Sequence, residues 1–304
     1  MTETIVNIQG LRKHFGKFEA LQDISFTVNA GEVFGFIGPN GAGKSTTIRT
    51  LLGIIKASGG HATIFGQDVW HDAVQIHQRL AYVPGDVYLW PNLSGGEAID
   101  LLLKLSDQKH TSKTDALIRE FELDVTKKCR TYSKGNRQKV ALIAAFATDA
   151  DLYIFDEPTS GLDPLMEEVF QKRVLELKQA GKSVLLSSHI LSEVERMCDR
   201  IGIIRAGKII ETGTLDEMRQ LSRTNMTVTT THPLDGQALP DVHGFTAVAG
   251  ATRKYTFAVD ANAIGAVMTA LVPYGIVALQ STPPTLEDLF MRYYNQDGGD
   301  TLER

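Results

Sequence analysis

Two cysteines in 304 residues, Cys129 and Cys198, exclude a disulfide framework, and their wide separation lacks the spacing of a metal site. They read as free thiols of a reducing compartment. Long hydrophobic runs are missing too: the longest apolar stretches, residues 140–147 and 201–204, fall far short of the roughly 20 residues a helix needs to cross a bilayer. If the protein serves a membrane, another chain does the spanning. Residues 1–10 lack the basic start and apolar run of a secretory signal, so the mature chain is expected to begin at or near Met1. There is no excess of positive charge. A net charge of −5 and a pI near 5.9 give no general attraction to phosphate backbones or anionic lipids, so no direct nucleic-acid partner is expected. Any phosphate chemistry must be local. Internal repeats and low-complexity tracts are absent, and His71 and His77 stand without the companions of a metal site.

What the chain does have is 43% hydrophobic residues, enough for one large domain or for an ordinary domain with a smaller one. Residues 5–8, 20–28 and 33–37 read as strands punctuated by glycine, and the last runs directly into a glycine-rich turn followed by a helical pattern over 44–53. Further buried-strand candidates at 80–83, 152–155, 184–187 and 201–204 alternate with helical stretches. That alternation predicts an α/β core with a largely parallel sheet. Residues 95–148 are almost wholly helical in pattern, which predicts a helical subdomain of about residues 86–149 inserted into the core. The stretch 165–177 has the apolar spacing of a helix packed on the core. After residue 222 the composition turns Thr-rich, with strands over 224–231 and 255–259 and helices over 261–271 and 286–294. Residues 1–222 and 223–304 are therefore expected to form a large α/β domain and a small α+β domain.

Gly38, Pro39, Asn40, Gly41, Ala42, Gly43, Lys44 and Ser45 match G-x-x-x-x-G-K-[ST] without a gap, and Thr46 continues the match into the helix. Glycines let successive backbone N–H groups converge on phosphate oxygens, and the following helix adds its positive end. Lys44 supplies an ammonium for the β and γ phosphates, and the Ser45 hydroxyl is a hard oxygen for Mg²⁺. Downstream, four apolar residues lead into Asp156 and Glu157, two carboxylates at the carboxyl end of a buried strand, where ligands gather in α/β sheets. Asp156 is the expected Mg²⁺ ligand and Glu157 the expected general base toward water.

With these residues in view, the chain resembles the nucleotide-binding subunits of ATP-binding cassette (ABC) transporters over roughly residues 5–221. The resemblance implies a P-loop ATPase core with a β-rich N-terminal subdomain, and MgATP as the nucleotide. It also implies that Phe15, in Lys13-His14-Phe15-Gly16, stacks on adenine. Ser160-Gly161-Leu162-Asp163 matches the loop that communicates across a dimer, with Asp163 facing the shared nucleotide, and His189 matches the switch histidine at the γ-phosphate. Lys44, Glu157 and His189 are then the expected catalytic residues.

Two segments compete for the signature that meets a partner's ATP. Leu93-Ser94-Gly95-Gly96-Glu97 resembles the family consensus LSGGQ in letters, whereas Tyr132-Ser133-Lys134-Gly135-Asn136 resembles it in position, at the start of the helix that runs into the Asp156 strand. Position decides for Ser133 and Gly135. Ser94 is then an N-cap, with Glu97 completing a capping box. The chain departs from the family where a Gln usually follows the equivalent of Tyr82-Val83-Pro84. It has Gly85 and then Asp86, so either Asp86 or water takes the metal-side role. The segment 282–294 also resembles the ending of a subgroup of exporters with an accessory C-terminal domain.

The resemblance implies a cytoplasmic protein, peripheral on the inner face of the membrane, that pairs with a second ATPase subunit and attaches to the membrane only through a separate permease, with export as the direction. The alternative is a soluble cassette ATPase acting on ribosomes or DNA. Such proteins usually carry two cassettes or a long coiled coil, and this chain has neither. A P-loop kinase or GTPase lacks the set Ser133, Asp163 and His189.

Overall fold

Short strands of mostly apolar residues can be buried on both faces, and in the computed structural model such strands form the middle of the central sheet. The structure describes residues 3–220, 223–282 and 287, and divides into two units, Met1–Gly213 and Thr214–Arg304. In chain order the first unit holds β1 (Thr4–Phe15), β2 (Phe18–Asn29), β3 (Val33–Ile37), α1 (Lys44–Leu51), β4 (Gly59–Ile64), β5 (Gln67–Asp68), α2 (Ala73–His77) and β6 (Leu80–Val83). It continues with α3 (Gly95–Leu105), α4 (Ser112–Glu120), α5 (Lys134–Ala147), β7 (Leu152–Asp156), α6 (Pro164–Gln179), β8 (Ser183–Ser188), α7 (Leu191–Met197), β9 (Arg200–Arg205) and β10 (Lys208–Thr214).

One sheet has the order β10-β9-β3-β8-β7-β6, and its pairs β9–β3, β3–β8, β8–β7 and β7–β6 are all parallel. Strands β3, β7 and β8 are buried at every residue. The register sets Asp156 beside Ser187 and Ile37 beside Ser188, so the carboxyl ends of β3, β7 and β8 line up at one edge. Ligands collect at this edge in open α/β sheets. A second, antiparallel sheet of order β2-β1-β4-β5 forms the β-rich N-terminal layer. The apolar side chains of the two sheets merge in one core, with Phe26 stacked on Phe34 at 5.0 Å. The chain thus has the α/β fold with a mostly parallel sheet.

Between β6 and β7 lie α3, α4 and α5. Phe146 of α5 anchors them to the sheet, its ring 6.1 Å from Phe121, 5.5 Å from Phe155 and 6.0 Å from Phe170. The stretch 95–148 is less continuous than its helical pattern suggests. It breaks after Leu105, where Asp107 has φ +54°, at Glu122, where φ is +49°, and again at a 3₁₀ turn, Cys129–Thr131, whose lead-in Lys128 bridges to Ser94. The first helix likewise stops at Leu51 rather than residue 53. Gly53 turns to φ +65°, and a Cβ there would lie 2.6 Å from the Val69 carbonyl oxygen.

The second unit contains α8 (Leu215–Gln220), β11 (Thr224–Thr230), β12 (Val242–Ala247), β13 (Lys254–Val259), α9 (Ile264–Leu271) and β14 (Ile276–Thr282). Its antiparallel sheet has the order β12-β13-β11-β14. Alternate residues of β11 and β13 pack with α9 in a core of Met226, Val228, Phe257, Val259, Val267 and Leu271. The composition change read at residue 222 falls inside this unit, and the helix read over 286–294 lies outside the described residues except Glu287.

Candidate active site

Strand β3 carries the chain into the loop from Gly38 to Ser45. Gly41 and Gly43 sit at φ +79° and +113°, where a side chain is strained, while a Cβ at Gly38 would lie 2.3 Å from the Ile204 carbonyl oxygen. Only glycine lets the loop leave β3 so close to β9. The loop delivers its chain to the amino end of α1, whose first-turn N–H groups have no intrahelical acceptors and suit an anion. Ala42 N–H donates to Pro39 O at 3.1 Å, and Thr46 O accepts from Thr50 Oγ1 at 2.8 Å, so the loop and helix start are internally braced.

Lys44 is buried and folds back over this loop. Its ammonium donates to Gly38 O at 2.6 Å and Pro39 O at 3.2 Å, and approaches Glu157 Oε1 at 3.0 Å without the alignment of a hydrogen bond. A buried ammonium is expensive unless it is paired. These oxygens hold it where a phosphate could replace them.

At the end of β7, buried Asp156 accepts from Ser187 Oγ at 2.6 Å, which fixes its carboxylate. The next residue, Glu157, has φ +51°, a conformation rare outside glycine and common where a site dictates the backbone. Its N–H donates to Ser187 O at 3.1 Å, and its Oε2 lies 2.5 Å from His189 Nδ1. His189 follows β8 and is half exposed. Glu157 therefore stands between the Lys44 ammonium and an imidazole open to solvent.

Asn40, Ser45, Asp156, Glu157 and His189 line one cleft of about 580 Å³, together with Asp86 and Lys134. Tyr82 also lines it. Burial, followed by the Asp156 charge, pushes the Tyr82 hydroxyl up to about 12, so it stays neutral. Behind the cleft, the buried Glu193 of α7 accepts from Thr159 Oγ1 at 3.1 Å, and desolvation raises its pKa. The oxygens of Ser45 and Asp156 in a shared cleft are the hard donor set that Mg²⁺ takes. Asp86 lines the same cleft, where its side chain is 75% exposed and pairs with Lys134 Nζ at 3.5 Å. A side chain at Gly85 would be cramped, since its Cβ would meet the Asp156 carbonyl oxygen at 3.1 Å.

Phe15, Ser133, Gly135 and Asp163 do not line this cleft. Phe15 ends β1, half exposed, opposite Phe18 in the hairpin and with the Lys13 ammonium 5.0 Å from its ring. Ser133 caps α5, its Oγ accepting from Asn136 N–H at 3.2 Å, and Asp163 caps α6, accepting from Met166 N–H at 3.1 Å. Gly135 lies so near the loop before α6 that a Cβ would be 2.3 Å from Gly161 O. The capping box at Ser94 is present in full: Ser94 N–H donates to Glu97 Oε2 at 2.6 Å and Glu97 N–H to Ser94 Oγ at 3.2 Å. From the sequence, Ser187 is visible only as the end of a strand and Lys134 only as part of the signature segment. The hydroxyl run Ser187-Ser188 at the end of an apolar strand was the available signal.

The ABC transporter family model matches residues 21–160. An uncharacterized ABC transporter ATP-binding protein of Nostoc sp. is 39% identical over 231 residues, 71% of this chain and 68% of that protein. This chain belongs to the ATP-binding proteins of ABC transporters. The linearmycin resistance ATP-binding protein LnrL of Bacillus subtilis is 33% identical over 220 residues, 70% of each chain. A solved ATP-binding subunit of an ABC transporter superposes with a TM-score of 0.66 at 33% identity, covering 71% of this chain and 92% of the other. The first unit is thus the P-loop ATPase of an ABC transporter ATP-binding subunit, and no described helix is long and apolar enough to cross a membrane.

Proposed function

We propose that this ATP-binding subunit hydrolyses MgATP to drive export through a separate membrane-spanning permease, by closing on a second ATPase subunit. In this reading residues 1–222 carry the ATPase and residues 223–304 an accessory domain, and the protein sits on the inner face of the membrane only through its permease. The observation that carries the chemistry is the meeting of Glu157 with Lys44 at 3.0 Å and with His189 at 2.5 Å, beside the phosphate loop.

Residues Gly38 to Thr46 cradle the phosphates, and Phe15 offers its exposed ring to the base. Mg²⁺, held by Ser45 and Asp156, supplies neutralisation of the phosphate charge. The γ-phosphate competes with Glu157 for the Lys44 ammonium and frees the carboxylate to accept a proton from water, while His189 orients it. Ser133, Gly135 and Asp163, which stand outside the chain's own cleft, are left to meet nucleotide held by a second subunit. ATP that touches both subunits only when they are closed shifts the equilibrium toward closure, and hydrolysis reverses it.

Two observations support a membrane partner and its direction. A groove of about 920 Å³ in the ATPase unit is bordered by the exposed apolar side chains Ile54, Val74 and Leu105, a composition that marks interaction surfaces. One relative is named for resistance to linearmycin, as an exporting system would confer. Size-exclusion chromatography with ATP tests the closure: Ser133→Arg should abolish the dimer and Ser94→Arg should leave it. The reverse outcome would put the signature at residue 94. Solubilised membranes passed over the immobilised protein should yield a polytopic membrane protein, and recovery of ribosomes instead would contradict the permease.

A further inference from the structure

Two positions depart from the family pattern in charge. An ammonium, Lys134, stands in the signature segment where the consensus has glycine, and a carboxylate, Asp86, follows the position of the usual glutamine. The fold brings these departures together, Lys134 Nζ lying 3.5 Å from Asp86 Oδ1 while donating to Ser160 Oγ at 2.8 Å. Lys134 therefore ties the start of α5 to the segment after β6 and to the loop before α6, and both charged side chains line the ATP cleft. Their chemistry makes the tie reversible. The side chains are 47% and 75% exposed, so the pair is well screened by water, and such surface pairs are weak. No acidic residue stands in the first turn of α5 to replace Asp86. A triphosphate offers the same ammonium several negative charges at once, and charge-assisted bonds from cations to phosphate are among the stronger ones.

We infer that Lys134 is an exchangeable ammonium that pairs with Asp86 in the separated subunit and trades it for the γ-phosphate of nucleotide held by the partner on closure. The inference rests on the two-subunit reading above. It gives Asp86 a role other than metal ligation, as the counter-ion that competes with nucleotide and so sets how much ATP closure needs.

The test measures the ATP concentration for half-maximal dimerisation by analytical ultracentrifugation, in a Glu157→Gln background that preserves the nucleotide. Lys134→Gln should raise it about tenfold, the scale of one charge-assisted bond, and Lys134→Arg should restore it to within about threefold. Asp86→Asn should lower it about threefold, as loss of a screened competitor does. In the Lys134→Gln protein, Asp86→Asn should then change nothing, because the competition is gone. If the two effects simply add, or if Lys134→Gln dimerises like its parent, the inference fails and the two-subunit reading stands. If the parent binds ATP and stays monomeric, both fail.

Discussion

The two units of the molecule bury different things. In the first, Lys44, Asp156, Gln138, Ser187, Ser188, Glu193 and several threonines are buried among apolar side chains, whereas Thr230 is the buried polar residue of the second among the described residues. Thr230 is fully served, its hydroxyl donating to His232 O at 2.7 Å. The first unit instead keeps buried oxygens of Gln138 and Glu193 without hydrogen-bond partners. Burying a polar group without a partner costs about 1–3 kcal/mol, so a core optimised for stability alone avoids it. Among the described residues the second unit keeps to that rule, and the first departs from it at Gln138, Glu157, Glu193 and Thr212. The same contrast appears in the backbone, where Glu157 holds a left-handed conformation in the middle of the site.

Equal deletions in the two cores should separate their roles. Leu271→Ala in the second unit and Leu185→Ala in the first each remove a fully buried side chain and should destabilise by about 2–5 kcal/mol in denaturant unfolding. ATP turnover should survive the first change within twofold and fall with the second. Loss of turnover in Leu271→Ala would break the contrast.

Within the first unit, Ser187→Ala removes the donor to Asp156 at 2.6 Å and should slow hydrolysis about tenfold, the worth of one hydrogen bond to a charged group, while the buried carboxylate left without that partner lowers stability by about 1–3 kcal/mol. Ser94→Ala should spare hydrolysis. It removes half of a capping box, costing about 1 kcal/mol in stability and leaving ATP-driven dimerisation unchanged.

The smallest effect concerns pH. His110 lies between Asp100, at 2.6 Å from Nδ1, and Asp115, at 3.1 Å from Nε2, and hydrogen bonds to these carboxylates raise its pKa above the ordinary 6.5. Its folded pKa exceeds its unfolded one, so this stabilisation is complete below about 6.5 and fades as pH rises through the raised value. His110→Gln should flatten the stability profile in that window. An unchanged slope would show that the exposed pair contributes nothing.

Much of the central sheet was legible because its strands are short, mostly apolar runs. Residues 80–83 and 152–155 stand out in the chain and become β6 and β7. The phosphate loop was legible because its requirements are local. Strands β4, β10 and β14 were not read, since glycine, polar or exposed residues break their alternation: every residue of β14 after Ile276 is exposed. The site was half legible for a related reason. Ser187 on Asp156 and Asp86 on Lys134 are contacts between segments far apart in the chain, and no spacing announces them.

Single-turnover hydrolysis by Glu157→Gln, beside nucleotide binding to the same protein, tests the central claim most directly. ATP should still bind with magnesium while hydrolysis slows by about 10² to 10⁴ fold, the usual worth of a general base. Hydrolysis at the parent rate would contradict the assignment of Glu157.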